Sequence, residues 1–125
     1  MLKPWAILFA MTYLLELPIY QGLLRRVVRL RQGLLLCLAL NVATHPIVWF
    51  VWPIVLENQL HYVLVAEAFA VLVEATLLWG MARWKRWPDG SWLSFVGVAF
   101  LANAFSVAVG EIAGYPLLHA LGLFA

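Results

Sequence analysis

The stretch Leu60-His-Tyr-Val-Leu-Val-Ala-Glu67-Ala-Phe-Ala-Val-Leu-Val-Glu74-Ala-Thr-Leu-Leu-Trp79-Gly-Met-Ala82 decides the fold class of this chain. As a helix rising about 1.5 Å per residue it is long enough to cross a bilayer core of about 30 Å. It also carries two glutamates in its interior. An ionisable group at that depth needs a partner, a proton or a function.

Three more apolar runs flank this one, so the chain divides into predicted spans near Pro4–Leu24, Gly33–Leu56, Leu60–Ala82 and Ser91–Gly110. Composition agrees, with 66% hydrophobic and 11% charged residues and a mean hydropathy of +0.94. A soluble domain is roughly 45–50% apolar. The reading is an all-α polytopic membrane protein, a four-transmembrane-helix bundle forming one domain over residues 1–125. The segment 111–125 is too short to cross again and is expected to lie in the interface. The N-terminal run begins like a signal peptide but continues past Glu16 with no small-residue cleavage pattern, and so reads as a retained helix. Cys37 stands alone in an apolar run, which leaves no internal disulfide and no cysteine-based metal site within one chain. Asn41, Asn58 and Asn103 stand in no glycosylation sequon. No repeat of 20 to 50 residues and no low-complexity segment is evident.

Orientation follows from charge. Arg25, Arg26, Arg29 and Arg31 join the first two spans, and Arg83, Lys85 and Arg86 the last two. Only Lys3 of the Lys and Arg residues falls on the other face. The positive-inside rule makes the basic face cytoplasmic and puts both termini on the non-cytoplasmic side of a cell inner membrane. Tryptophans form belts at both ends, Trp79, Trp84, Trp87 and Trp92 on the basic side and Trp5, Trp49 and Trp52 opposite. The four arginines, interleaved with Leu23, Leu24, Val27, Val28 and Leu30, suit contact with anionic lipid headgroups. Nucleic acid is not an expected partner, since no solvated basic surface carries stacking groups.

The polar residues inside the spans fall into two expected layers. His45, Glu67 and Asn103 stand roughly 10–12 Å from the outer helix ends, and Glu16, Asn41 and Glu74 roughly 18–20 Å, by the helical rise. Helical periodicity puts Glu67, Ala70 and Glu74 on one face and Asn41, Thr44 and His45 on another. Ala99, Asn103, Ser106 and Gly110 make a small, polar stripe on the fourth span. Pro18 and Pro46 each remove a helical hydrogen bond beside these groups.

No Lys or Arg lies inside a span to neutralise the glutamates, so a proton, a bound cation or His45 as imidazolium must do so. The first expectation is a site that binds or passes protons or cations, built from His45, Glu67, Glu74, Glu16, Asn41 and Asn103 and supported by Thr44 and Ser106. His45 with Glu67 could hold a transition metal, although no metal motif is present and the cofactor is left open. The second expectation is an accessory or assembly subunit, associated with itself or with a larger membrane complex, whose polar residues fix helix register. A third, a membrane enzyme using Glu67 or Glu74 on a lipid or quinone, ranks last because no nucleophile setting is present. In helix number, length and a glutamate in the first helix, here Glu16, the chain resembles the small multidrug-resistance transporters. It departs from them in Glu67, Glu74, Thr44-His45-Pro46 and a strong charge bias.

Overall fold

The computed structural model describes residues 2–88 and 90–122, and all the secondary structure among them is helical. Helix α1 spans Leu2–Leu23, α2 Leu30–Phe50, the single turn α3 Trp52–Val55, α4 Gln59–Lys85 and α5 Trp92–Val109. A π-helical turn, Gly110–Gly114, then leads into α6, Tyr115–Ala120. Four helical runs are long and apolar enough to span a membrane: Leu2–Leu23, Leu30–Val55, Gln59–Lys85 and Trp92–Ala120.

The ends of these helices are set by local chemistry. Asn58 caps α4 by accepting from the backbone N–H groups of Leu60 and His61 at 3.0 and 3.1 Å. At the other end Arg86 adopts φ 53°, and the Trp87 N–H reaches back to the Ala82 carbonyl at 2.9 Å, a left-handed stop. Ser91 caps α5 through the Ser94 N–H at 3.1 Å. Helix α2 begins at Leu30, a turn before the expected Gly33, because the Arg29 N–H is met by the Gln32 side chain at 3.1 Å. Of the segment 111–125, residues 123–125 lie outside the described residues, and 111–120 are helical. They continue the α5 helix, with Leu118 fully buried and Gly114 against Leu8 and Met11 of α1.

The helices stand in a ring in which α1 packs on α2 and α5, and α4 also packs on α2 and α5. The pairs α1/α4 and α2/α5 thus occupy opposite corners. Leu24 and Val28 of the arginine-rich connection turn into the core, while Leu23 and Leu30 stay exposed beside the arginines. That connection therefore gives fewer apolar groups to a lipid surface than its sequence suggests.

Packing is inverted relative to a soluble bundle. Glu16, Asn41, Thr44, His45, Glu74, Asn103 and Ser106 are buried, whereas Leu14, Leu35, Leu64, Leu72, Phe100 and Leu101 face outward. An apolar exterior of that extent is what lipid-exposed helices carry. Where lipid replaces water outside, burial of apolar surface no longer drives helix association, and close backbone approach becomes important. Ala75, Ala99 and Ala102 provide it, each wholly buried in the apolar cluster with Leu36, Leu78 and Phe95.

Ala99→Leu adds three carbons where no space exists, and is expected to lower stability by about 1–3 kcal/mol. Unfolding of the purified protein in a mixed-detergent titration measures it, with Ala104→Leu at an exposed position of the same helix as the control expected to change little.

Candidate functional site

Glu16 and Glu74 are each 1% exposed, and both line one cavity of about 120 Å³ with walls from α1, α2, α4 and α5. Helix α1 places Glu16 one turn before Tyr20, so both side chains face the same interior seam. On α2, Asn41, Thr44 and His45 share the buried face; on α5, Asn103 and Ser106 do.

The hydrogen bonds cross between helices. Asn41 Nδ2 donates to Glu16 Oε2 at 2.7 Å, and the Ser106 hydroxyl reaches Glu16 Oε1 at 3.0 Å. Asn103 Nδ2 donates to Glu74 Oε2 at 2.6 Å, the Tyr20 hydroxyl donates to the same oxygen, and the Thr44 hydroxyl reaches Glu74 Oε1 at 3.1 Å. Glu74 on α4 is thus met from all three other helices, and Glu16 on α1 from two. Every contact comes from a neutral group. All eight Lys and Arg side chains are exposed, so none of them provides a counter-charge inside the bundle.

Above the glutamates, away from the basic end, the cavity is lined by Thr12, His45, Trp49, Tyr62 and Glu67. Glu67 is half-buried. His45 is buried in an aromatic surround: Phe9 meets it edge-on at 5.2 Å, Trp5 is tilted at 6.2 Å and Trp49 is stacked at 6.3 Å. Its Nδ1 is buried and makes no hydrogen bond among the described residues. Such an atom is a stated cost unless a water or ligand meets it, and the cavity it lines is the place from which one can come. Below the glutamates the bundle closes, since the core of Leu24, Val28, Leu36, Leu78, Ala82 and Phe95 fills the basic half.

The six residues expected from sequence, His45, Glu67, Glu74, Glu16, Asn41 and Asn103, all line this cavity together with Thr44 and Ser106. Their pairing differs from the expected layers. Asn103 serves Glu74 in the deeper layer, because its amide also binds the Ala99 carbonyl at 2.9 Å and is thereby aimed down its own helix. Helical spacing puts Tyr20 on the inward stripe of the first span with Thr12, Tyr13 and Glu16, but neither its bond to Glu74 nor the Trp5, Phe9 and Trp49 surround of His45 is legible in the sequence. Among the described residues no three His, Cys, Asp or Glu side chains converge as a metal centre requires. The carboxylate oxygens accept from N–H and O–H donors, contacts that reduce the cost of charge on them.

No protein-family model, no curated protein and no solved structure matches the chain. The fold and the site themselves define the class: an all-helical protein with four helices apolar enough to span a membrane and a ring of polar side chains closed around two buried glutamates.

Replacing Asn103 with Leu removes one donor to Glu74, and the loss should depend on Glu74 being present. A double-mutant cycle of Asn103→Leu with Glu74→Leu is expected to show a coupling on the order of 1 kcal/mol, read from unfolding in detergent.

Proposed function

We propose that this chain is a four-span inner-membrane protein whose buried Glu16 and Glu74 bind protons that arrive through the cavity from the non-cytoplasmic side. The observation that carries the reading is the complete absence of a cationic partner, among the described residues, for two buried carboxyl groups. An unpaired ionised carboxylate in a low-dielectric interior costs several kcal/mol, and a proton is the smallest species that removes that cost.

The cavity supports access. At roughly 30 Å³ per water in the liquid, its volume is that of about four waters, and polar groups line its length. It is below the roughly 300–1,000 Å³ of typical small-molecule sites, and the larger apolar groove of about 490 Å³ between α4 and α5 meets it only at Glu67, Asn103 and Val107. The charge bias orients the protein so that the cavity end is external and the apolar closure is cytoplasmic. Protons then reach the glutamates from one side, and passage onward requires the basic half of the bundle to open.

One observation favours the assembly reading: the donors to the two glutamates come from three helices, α1 through Tyr20, α2 and α5, which fixes helix register whether or not a proton moves. The two readings part on titration. In lipid vesicles, infrared difference spectra over pH are expected to show the carbonyl band of a protonated carboxyl group rising as pH falls. Glu16→Gln and Glu74→Gln should each remove one component while the protein stays folded. If no such band titrates and the Gln variants lose only stability or association, the groups are structural. His45→Ala and Glu67→Gln are expected to slow proton uptake after an external pH jump and leave the bands in place.

Orientation is checked separately. With the buried Cys37 replaced by Ala, Lys3→Cys should react with an impermeant thiol reagent added outside cells. Trp84→Cys, at the basic end, should react only after permeabilisation.

A further inference from the structure

The two glutamate sites correspond in plan. Glu16 on α1 takes its amide from Asn41 on the next long helix, 25 residues on, and Glu74 on α4 takes its own from Asn103, 29 residues on. Three residues beyond each amide stands a hydroxyl, Thr44 or Ser106, and each of these crosses to the glutamate of the other hairpin. The spacing recurs elsewhere, with Gly22 and Gly80 six residues after the glutamates and Arg25 and Arg83 nine after. The hairpins α1/α2 and α4/α5 run in the same direction and occupy opposite sides of the ring, as two copies related by a two-fold axis along the bundle must.

The hydroxyls differ from the amides in what they can do. Asn41 gives one Nδ2 hydrogen to Glu16 and the other to the Cys37 carbonyl at 3.1 Å, and Asn103 divides its pair between Glu74 and the Ala99 carbonyl. Both amides are locked as donors to the Oε2 atoms. Thr44 Oγ1 lies 3.0 Å from the Leu40 carbonyl and 3.1 Å from Glu74 Oε1. Ser106 Oγ lies 3.0 Å from the Asn103 carbonyl and 3.0 Å from Glu16 Oε1. Each hydroxyl has one hydrogen and two oxygens to receive it.

We infer that Thr44 and Ser106 are matched positioning residues that let the two glutamates gain and lose a proton on Oε1. With the carboxylate charged, the hydroxyl donates across to the other hairpin. When a proton from cavity water settles on Oε1, the carboxyl group donates to the hydroxyl oxygen, and the hydroxyl turns its hydrogen to the carbonyl of its own helix. Both states keep every buried donor in use, so neither incurs the penalty of an unsatisfied group. This rests on the proton-binding reading and adds to it the atom that is protonated, the residue that adjusts, and a count of two such sites per chain.

The other titratable groups around the pair and its cavity are Tyr20 on α1, Cys37 and His45 on α2, and Tyr62 and Glu67 on α4; α5 contributes none among the described residues. Infrared titration in vesicles tests the assignment, with the Gln variants identifying each band. Thr44→Val should move the Glu74 transition about one pH unit upward, since the charge-assisted donor lost by the ionised form outweighs the acceptor lost by the protonated form, and move the Glu16 transition much less. Ser106→Ala should do the converse. Thr44→Ser and Ser106→Thr, which keep the hydroxyl, should restore the original midpoints. If Thr44→Val does not insert, Ser106→Ala provides the mirror test at the other site.

Equal midpoints for Thr44→Val and Thr44→Ser, or equal movement of both transitions, overturn the inference while leaving proton binding intact. If no glutamate band titrates in the unsubstituted protein, both readings fall together.

Discussion

A carboxyl group in a low-dielectric interior must be matched by donors or neutralised, and the bundle is arranged around meeting that demand twice. Helix spacing, the choice of alanine at the closest approaches and the direction of every buried amide follow from it. Asn41 and Asn103 can aim at the glutamates only because each is anchored to a carbonyl of its own helix. Those anchors in turn require α2 and α5 to present one particular face inward. In a membrane, where apolar surfaces gain little by meeting each other, such polar contacts specify the register that close packing then fills.

The interior divides into two unlike halves. Toward the basic end it is apolar and closed by Leu24, Leu36, Leu78 and Phe95. Toward the other end it holds a polar cavity with His45 and Glu67 near its mouth and the glutamate pair at its base. This asymmetry distinguishes the arrangement from a set of scattered interhelical hydrogen bonds. It puts the polar cavity on one side of the glutamates, with an imidazole nitrogen that makes no hydrogen bond among the described residues along the way.

The two-fold relation between the hairpins is imperfect in ways that bear on chemistry. Tyr20 donates to Glu74, but Leu78, the corresponding residue four after Glu74, is part of the apolar core and offers nothing to Glu16. His45 follows Thr44, whereas Val107 follows Ser106. The two carboxyl groups therefore have the same ground plan and different surroundings: three donors around one, two around the other. The pseudo-two-fold arrangement supplies paired sites, and these differences make them inequivalent.

Sequence alone determined the four apolar spans, the charge asymmetry and the identity of the buried polar residues, because hydrophobic length and helical periodicity are local properties of the chain. The six expected site residues meet in one cavity for the same reason: polar side chains in apolar helices have only the interior to occupy. Pairing was decided by tertiary structure. Which glutamate receives Asn103, that Tyr20 takes part, and that the final segment prolongs α5 all depend on how helices distant in sequence are set against one another. The correspondence between the two hairpins was hidden in the sequence for a related reason. Only a few polar and glycine positions recur, and the separation of glutamate from amide differs between the copies, 25 against 29 residues, so the match becomes visible only when side chains are seen bonding across the ring.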